Sequence, residues 1–218
     1  MVTPDTWSRF VDDASPVGDD SDGAASRNAS PARGDRTVRD DDLPRLGAFR
    51  GDVRVVITGG AGQIAGPAAF CRQRGLELSA LDITLRDLDD PAGNARRVVA
   101  AVDAAQAEGD LLDDTVVHVR VAGEPTPSWL AALDVLAEAE MVVAVPLDDG
   151  DPSPWIDAAM DRELQVSFVG GTVADAVAGL TSAARLRGDE NDLAGARRWV
   201  RCWTTADPHA ALEHLETQ

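Results

Sequence analysis

Residues 81–86 read Leu81-Asp82-Ile83-Thr84-Leu85-Arg86, and this short alternation decides the fold. Successive side chains of a strand point to opposite faces, so Leu81, Ile83 and Leu85 share one face while Asp82, Thr84 and Arg86 share the other. Strands of an open, doubly wound sheet are covered by helices on both sides and read apolar throughout. One apolar and one polar face instead suit a sheet with helices outside and a lumen or cleft inside.

Neighbouring stretches repeat the pattern. Val53, Val55 and Ile57 oppose Arg54, Val56 and Thr58. Thr115, Val117, Val119 and Val121 oppose Val116, His118 and Arg120, and Leu164, Val166 and Phe168 oppose Gln165 and Ser167. Six strands are expected, at Val53–Thr58, Glu77–Leu85, Thr115–Val121, Met141–Pro146, Leu164–Val169 and Trp199–Thr204. Between them apolar residues recur at helical spacing, as in Leu130, Leu133 and Leu136. Asp90-Pro91, Thr126-Pro127, Ser153-Pro154 and Asp207-Pro208 each set a capping side chain before a proline suited to the first helical position. Alternating strands and helices imply a parallel sheet with right-handed crossovers. The expected fold is therefore α/β, with repeated β-α units in an incomplete TIM-barrel-like arrangement, since a full barrel usually needs ~250 residues. A Rossmann-like doubly wound sheet is the alternative.

The N-terminal part reads differently. Between Ser15 and Asp42 the large aliphatics are Val17 and Val38 alone, too few to offset the entropy of ordering. Residues 1–48 are therefore expected to be a largely disordered acidic segment with a short helix near residues 6–14. Residues 49–218 form the α/β domain.

The net charge of -18 argues against a surface for nucleic acid or anionic membrane. The absence of Lys removes Schiff-base and phosphate-loop chemistry, and the absence of Tyr removes a phenolic acid. Cys71 and Cys202 are far apart and read as reduced core thiols. With no apolar signal core and no long apolar run, a cytoplasmic protein is expected.

Phe10-Val11-Asp12-Asp13-Ala14, Asp90-Pro91-Ala92-Gly93-Asn94-Ala95-Arg96-Arg97, Trp129-Leu130-Ala131-Ala132-Leu133-Asp134 and the stretch from Ala196 to Leu215 resemble a family of uncharacterised bacterial β/α-barrel-like proteins. The resemblance implies a fold and no activity. Where that family carries Lys and His after the fifth of these strands, this chain has Gly170-Gly171-Thr172-Val173-Ala174-Asp175.

Three functional readings follow. If the polar faces converge, His118 is a candidate acid/base oriented by Asp82, and Arg86, Arg120 and Thr84 would hold a small anionic metabolite. Alternatively, Gly60, Gly62 and Ala65 match a G-x-G-x-x-A turn between strand and helix, with Asp82 placed for a ribose; NAD or NADP would then bind. That turn resembles the one in short-chain dehydrogenases and nucleotide-sugar epimerases, whose Tyr-x-x-x-Lys pair this chain lacks. The third reading is a non-catalytic interaction protein with a basic protein surface as its partner. No metal-ligand spacing emerges.

Overall fold

The computed structural model describes residues 4–17 and 30–216. Eight parallel strands close into a barrel in chain order. They are β1 (Val11–Asp13), β2 (Arg33–Arg39), β3 (Asp52–Ile57), β4 (Glu77–Thr84), β5 (Val116–Arg120), β6 (Val142–Pro146), β7 (Val166–Val169) and β8 (Val200–Thr205). Pairing of β1 with β8, Val11 opposite Trp203 and Asp13 opposite Thr205, completes the ring. The β/α-barrel reading holds and the doubly wound alternative does not.

The unit count is eight rather than six. The two additional strands lie in the segment expected to be disordered. Residues 6–14 hold the end of a 3-10 turn (Pro4–Trp7) and β1, not a helix; β2 runs into a second 3-10 turn, Asp40–Leu46. Val11 and Val38 join the apolar core, and the rest of the two strands' stabilisation is polar. Asp12 and Asp13 of β1 are buried, as are Arg36 and Thr37 of β2, and Arg36 Nη1 donates to Asp13 Oδ1 at 2.9 Å. Arg33 also pairs with Asp13. A composition argument that counts only aliphatic burial misses such a strand, because its partners are supplied by other strands. Residues 18–29 of the expected disordered segment lie outside the described residues.

Short connections let eight strands fit this chain. The link from β2 to β3 is a 3-10 turn, and α1 (Ala65–Arg74), between β3 and β4, has only ten residues. Longer helices follow: α2 (Pro91–Ala107), α3 (Pro127–Glu138), α4 (Ser153–Met160) and α5 (Val173–Leu186), then the single turn α6 (Leu193–Ala196) and α7 (Pro208–Glu216). Their starts follow the capping logic in part. Asp90 accepts from Gly93 N and Asp207 from Ala210 N, whereas Thr126 makes no cap bond and α4 begins at Ser153 itself. Thr172 and Asp175 form a reciprocal capping box at α5.

The apolar core lies between strands and helices. Leu81, Ile83 and Val119 are fully buried, and the helices answer with Val98, Val102, Leu133 and Leu136. Trp129 and Trp155 meet edge to face at 5.4 Å between centroids, and Trp155 Nε1 donates to Gly123 O. On α5, Gly179 is required by close approach: a Cβ there would come within 2.7 Å of Phe168 Cζ. The polar faces are thereby turned inward.

Candidate functional site

Parallel register aligns the inward residues in layers. Asp82 pairs with Val56 on one side and His118 on the other; Thr84 pairs with Arg120, and Arg120 with Ala144, which in turn pairs with Ser167. Arg54, Asp82, His118 and Ser167 thus share the lumen, as the alternation implied, and each is at most 2% exposed.

Arg54 spans the lumen. Its Nη2 donates to Asp82 Oδ2 at 3.0 Å, and its Nη1 donates to Asp12 Oδ2 at 3.1 Å and to Cys202 Sγ at 3.2 Å. Asp12 also accepts from Asp35 N at 2.9 Å and, weakly, from Thr204 Oγ1 at 3.5 Å. Removing charges from water costs several kcal/mol per ion, which paired geometry must repay. Burial outweighs the pull of Arg54 and raises the Asp12 carboxyl above its ordinary value. Burial, reinforced by Asp12, likewise pushes the Cys202 thiol far up, so it remains protonated.

Asp82 and His118 are cross-strand neighbours, yet they do not form the expected pair. Asp82 Oδ2 accepts from both Arg54 and Arg120, the latter at 3.1 Å. His118 Nδ1 lies 2.9 Å from Ser167 Oγ, across the lumen on β7. A carboxylate between two guanidiniums gains more than one beside a neutral imidazole. His118 is held neutral, its pKa driven well below the ordinary imidazole value by burial and then by the charges of Arg54 and Arg201. The imidazole is thus buried and engaged with Ser167 rather than with Asp82.

The anion-binding candidates fare better. Thr84 and Arg86 stand exposed at the C-terminal end of β4. Arg120 ends β5 with 29% of its side chain exposed, while its Nε is buried without a partner among the described residues. Asp82 Oδ1 is a second such atom. Arg86 has no carboxylate within ion-pair distance among the described residues, and its Nε lies 3.7 Å from where a Cβ on Gly60 would stand. Beside this mouth Asp13 is held below its ordinary value: burial opposes ionisation, but hydrogen bonds from Ser15 and the charges of Arg36 and Arg33 prevail.

The glycine-rich turn has a plain structural role. Gly60 adopts φ 84°, which favours glycine, and opens the 3-10 turn Ala61–Gln63 before α1. A Cβ on Gly62 would meet open space, so no close approach explains that residue. Thr58 N and Oγ1, at the head of the turn, both donate to Asp40, at 3.0 and 2.7 Å. Asp40 therefore takes both donors of the residue that leads into the turn. Ala65 merely begins α1, and Asp82, wholly buried between two arginines, is not accessible to a ribose. The nucleotide reading thereby loses its ribose contact.

Asp12, Asp13, Arg36 and Thr204 were missed by sequence reasoning; the only hint was the resemblance carried by residues 10–14. Cys71 and Cys202 are free, buried thiols, as read. Gln165 and Arg201 stand at the starts of β7 and β8, the N-terminal end of the barrel. No helix among the described residues is long and apolar enough to cross a membrane. No protein-family model matches the chain, and no curated protein resembles it closely enough to count as a relative.

Proposed function

We propose that the barrel binds a small anionic metabolite at its C-terminal mouth, with Arg120 and Arg86 as the charged contacts and Thr84 as a hydroxyl donor. The observation that carries this reading is the sharing of Asp82. One carboxylate oxygen serves both Arg54 and Arg120, so its charge is divided while Arg120 still reaches solvent. In a chain with 38 acidic and 20 basic residues, carboxylate partners are abundant. Arg86 is exposed at the mouth and has no carboxylate within ion-pair distance among the described residues. Guanidinium groups hold carboxylates and phosphates through two parallel hydrogen bonds, and Asp82 presets the plane of Arg120. The proposal is one of binding. His118, buried against Ser167, supplies no acid or base to the mouth.

The test is a thermal-melt and calorimetric screen of the full chain against small mono- and dicarboxylates and phosphate monoesters. A ligand at 100 times its Kd stabilises by about 2.7 kcal/mol, which a melt resolves. Arg120→Gln and Arg86→Gln should each weaken the best ligand by roughly 10- to 100-fold, because a hydrogen bond to a charged group contributes about 1.5–3 kcal/mol. No stabilising anion in the panel, or unchanged affinity in both variants, would remove the proposal.

A further inference from the structure

We infer that the opposite, N-terminal end of the barrel holds a second site, for a small zwitterion of the α-amino-acid type with an apolar body. A cavity of about 720 Å³ opens there, within the range of small-molecule sites. Its inner wall is formed where β5, β6, β7 and β8 begin, by Val116, Val142, Gln165 and Arg201. Val99 of α2 and Val135 of α3 continue it outward as apolar surface.

The polar groups are segregated. On the inner wall, Arg201 makes a single long contact, 3.4 Å from Nη1 to Gln165 Oε1, and no carboxylate lies within ion-pair distance of it among the described residues. Gln165 is itself fixed, since its Nε2 donates to Arg198 O at 3.0 Å. The guanidinium thus faces the cavity, exposed and without a carboxylate partner among the described residues. On the helix and loop side of the cavity the charge reverses: Asp103, Asp113, Asp114, Glu138 and Glu140 line it, against Arg96.

These two zones select by charge. A dianion would meet Arg201 favourably but would have to lie among five carboxylates. A simple amine would fit the acidic side and leave Arg201 without a counter-ion. A molecule with a carboxylate at one end and an ammonium at the other answers both, with its side chain against the valines. The site does not depend on the mouth proposed above, because it shares no residue with it.

Leucine, valine and methionine are the probes, each compared with its N-acetyl and amide derivatives in calorimetric titrations and thermal melts of the full chain. At least one free amino acid should bind and raise the melting temperature. Blocking either its ammonium or its carboxylate should weaken binding tenfold or more. Arg201→Gln, a change at an exposed position, should also weaken it tenfold or more, whereas Arg120→Gln should leave it unchanged. Absence of binding by all three, equal binding of a blocked derivative, or wild-type affinity in Arg201→Gln would overturn the inference. Loss of amino-acid binding in Arg120→Gln would do so too, by placing the ligand at the other end.

Discussion

Replacing Arg54 by Met tests the lumen network most directly. The side chain is wholly buried and donates to Asp12, Asp82 and Cys202. Met preserves much of its length and removes the charge. Asp82 keeps Arg120, but Asp12 keeps only neutral donors: a backbone N–H from Asp35, the Cys202 thiol and a 3.5 Å contact from Thr204. Removing one member of a buried ion pair costs about 3–5 kcal/mol, because the other charge is left uncompensated. With a urea slope of about 2–3 kcal/mol per M, the unfolding midpoint should fall by roughly 1–2 M. The pH dependence identifies the cause. Asp12 is already raised in the folded state by burial, and loss of Arg54 raises it further. Between the unfolded carboxyl value and this raised folded value, the native state keeps a proton that the unfolded state has lost. Stability therefore falls as pH rises through that window, and the variant should regain part of its deficit on acidification from neutral pH. Adding Asp12→Asn to Arg54→Met should recover part of the loss at neutral pH. A midpoint shift below about 0.3 M, or a deficit that grows on acidification, would refute the view that Arg54 holds the lumen together.

His118 should remain neutral in NMR titrations well below the ordinary imidazole pKa. Because its folded value is depressed, the unfolded state takes up the proton first, so stability is full above about pH 6.5 and falls by up to about 1.4 kcal/mol per pH unit below it. An imidazole titrating near 6.5 would contradict this. Leu133→Ala, at a fully buried position on α3, should cost about 2–5 kcal/mol in urea unfolding. Gly179→Val should destabilise by roughly 1–3 kcal/mol, since the new side chain must displace the Phe168 ring; an unchanged melt would show that the ring can yield. The Cys71 thiol, which burial pushes up to about 11, should resist iodoacetamide at pH 8 until urea unfolds the chain. Labelling of the native protein would refute that.

The alternation in residues 53–58, 81–86, 115–121 and 164–168 favoured an incomplete parallel β/α barrel over a doubly wound sheet and turned Arg54, Asp82, His118 and Ser167 inward, because a two-residue period assigns faces without any knowledge of partners. It could not establish how those inward groups pair. Register put Asp82 beside His118, and proximity along the sheet suggested a dyad. Ring closure instead brought Arg54 and Arg120 onto Asp82 and set Ser167 against His118. Arg54 meets Asp12 and Cys202 across 42 and 148 residues of chain, distances that carry no signal in a linear pattern. The first two strands were hidden for the same reason. Val11–Asp13 and Arg33–Arg39 bury Asp12, Asp13 and Arg36 beside only two aliphatics, Val11 and Val38, and a buried charge is tolerable only beside its counter-ion. Hydrophobic spacing belongs to the chain alone, whereas charge compensation exists only once distant segments share one interior.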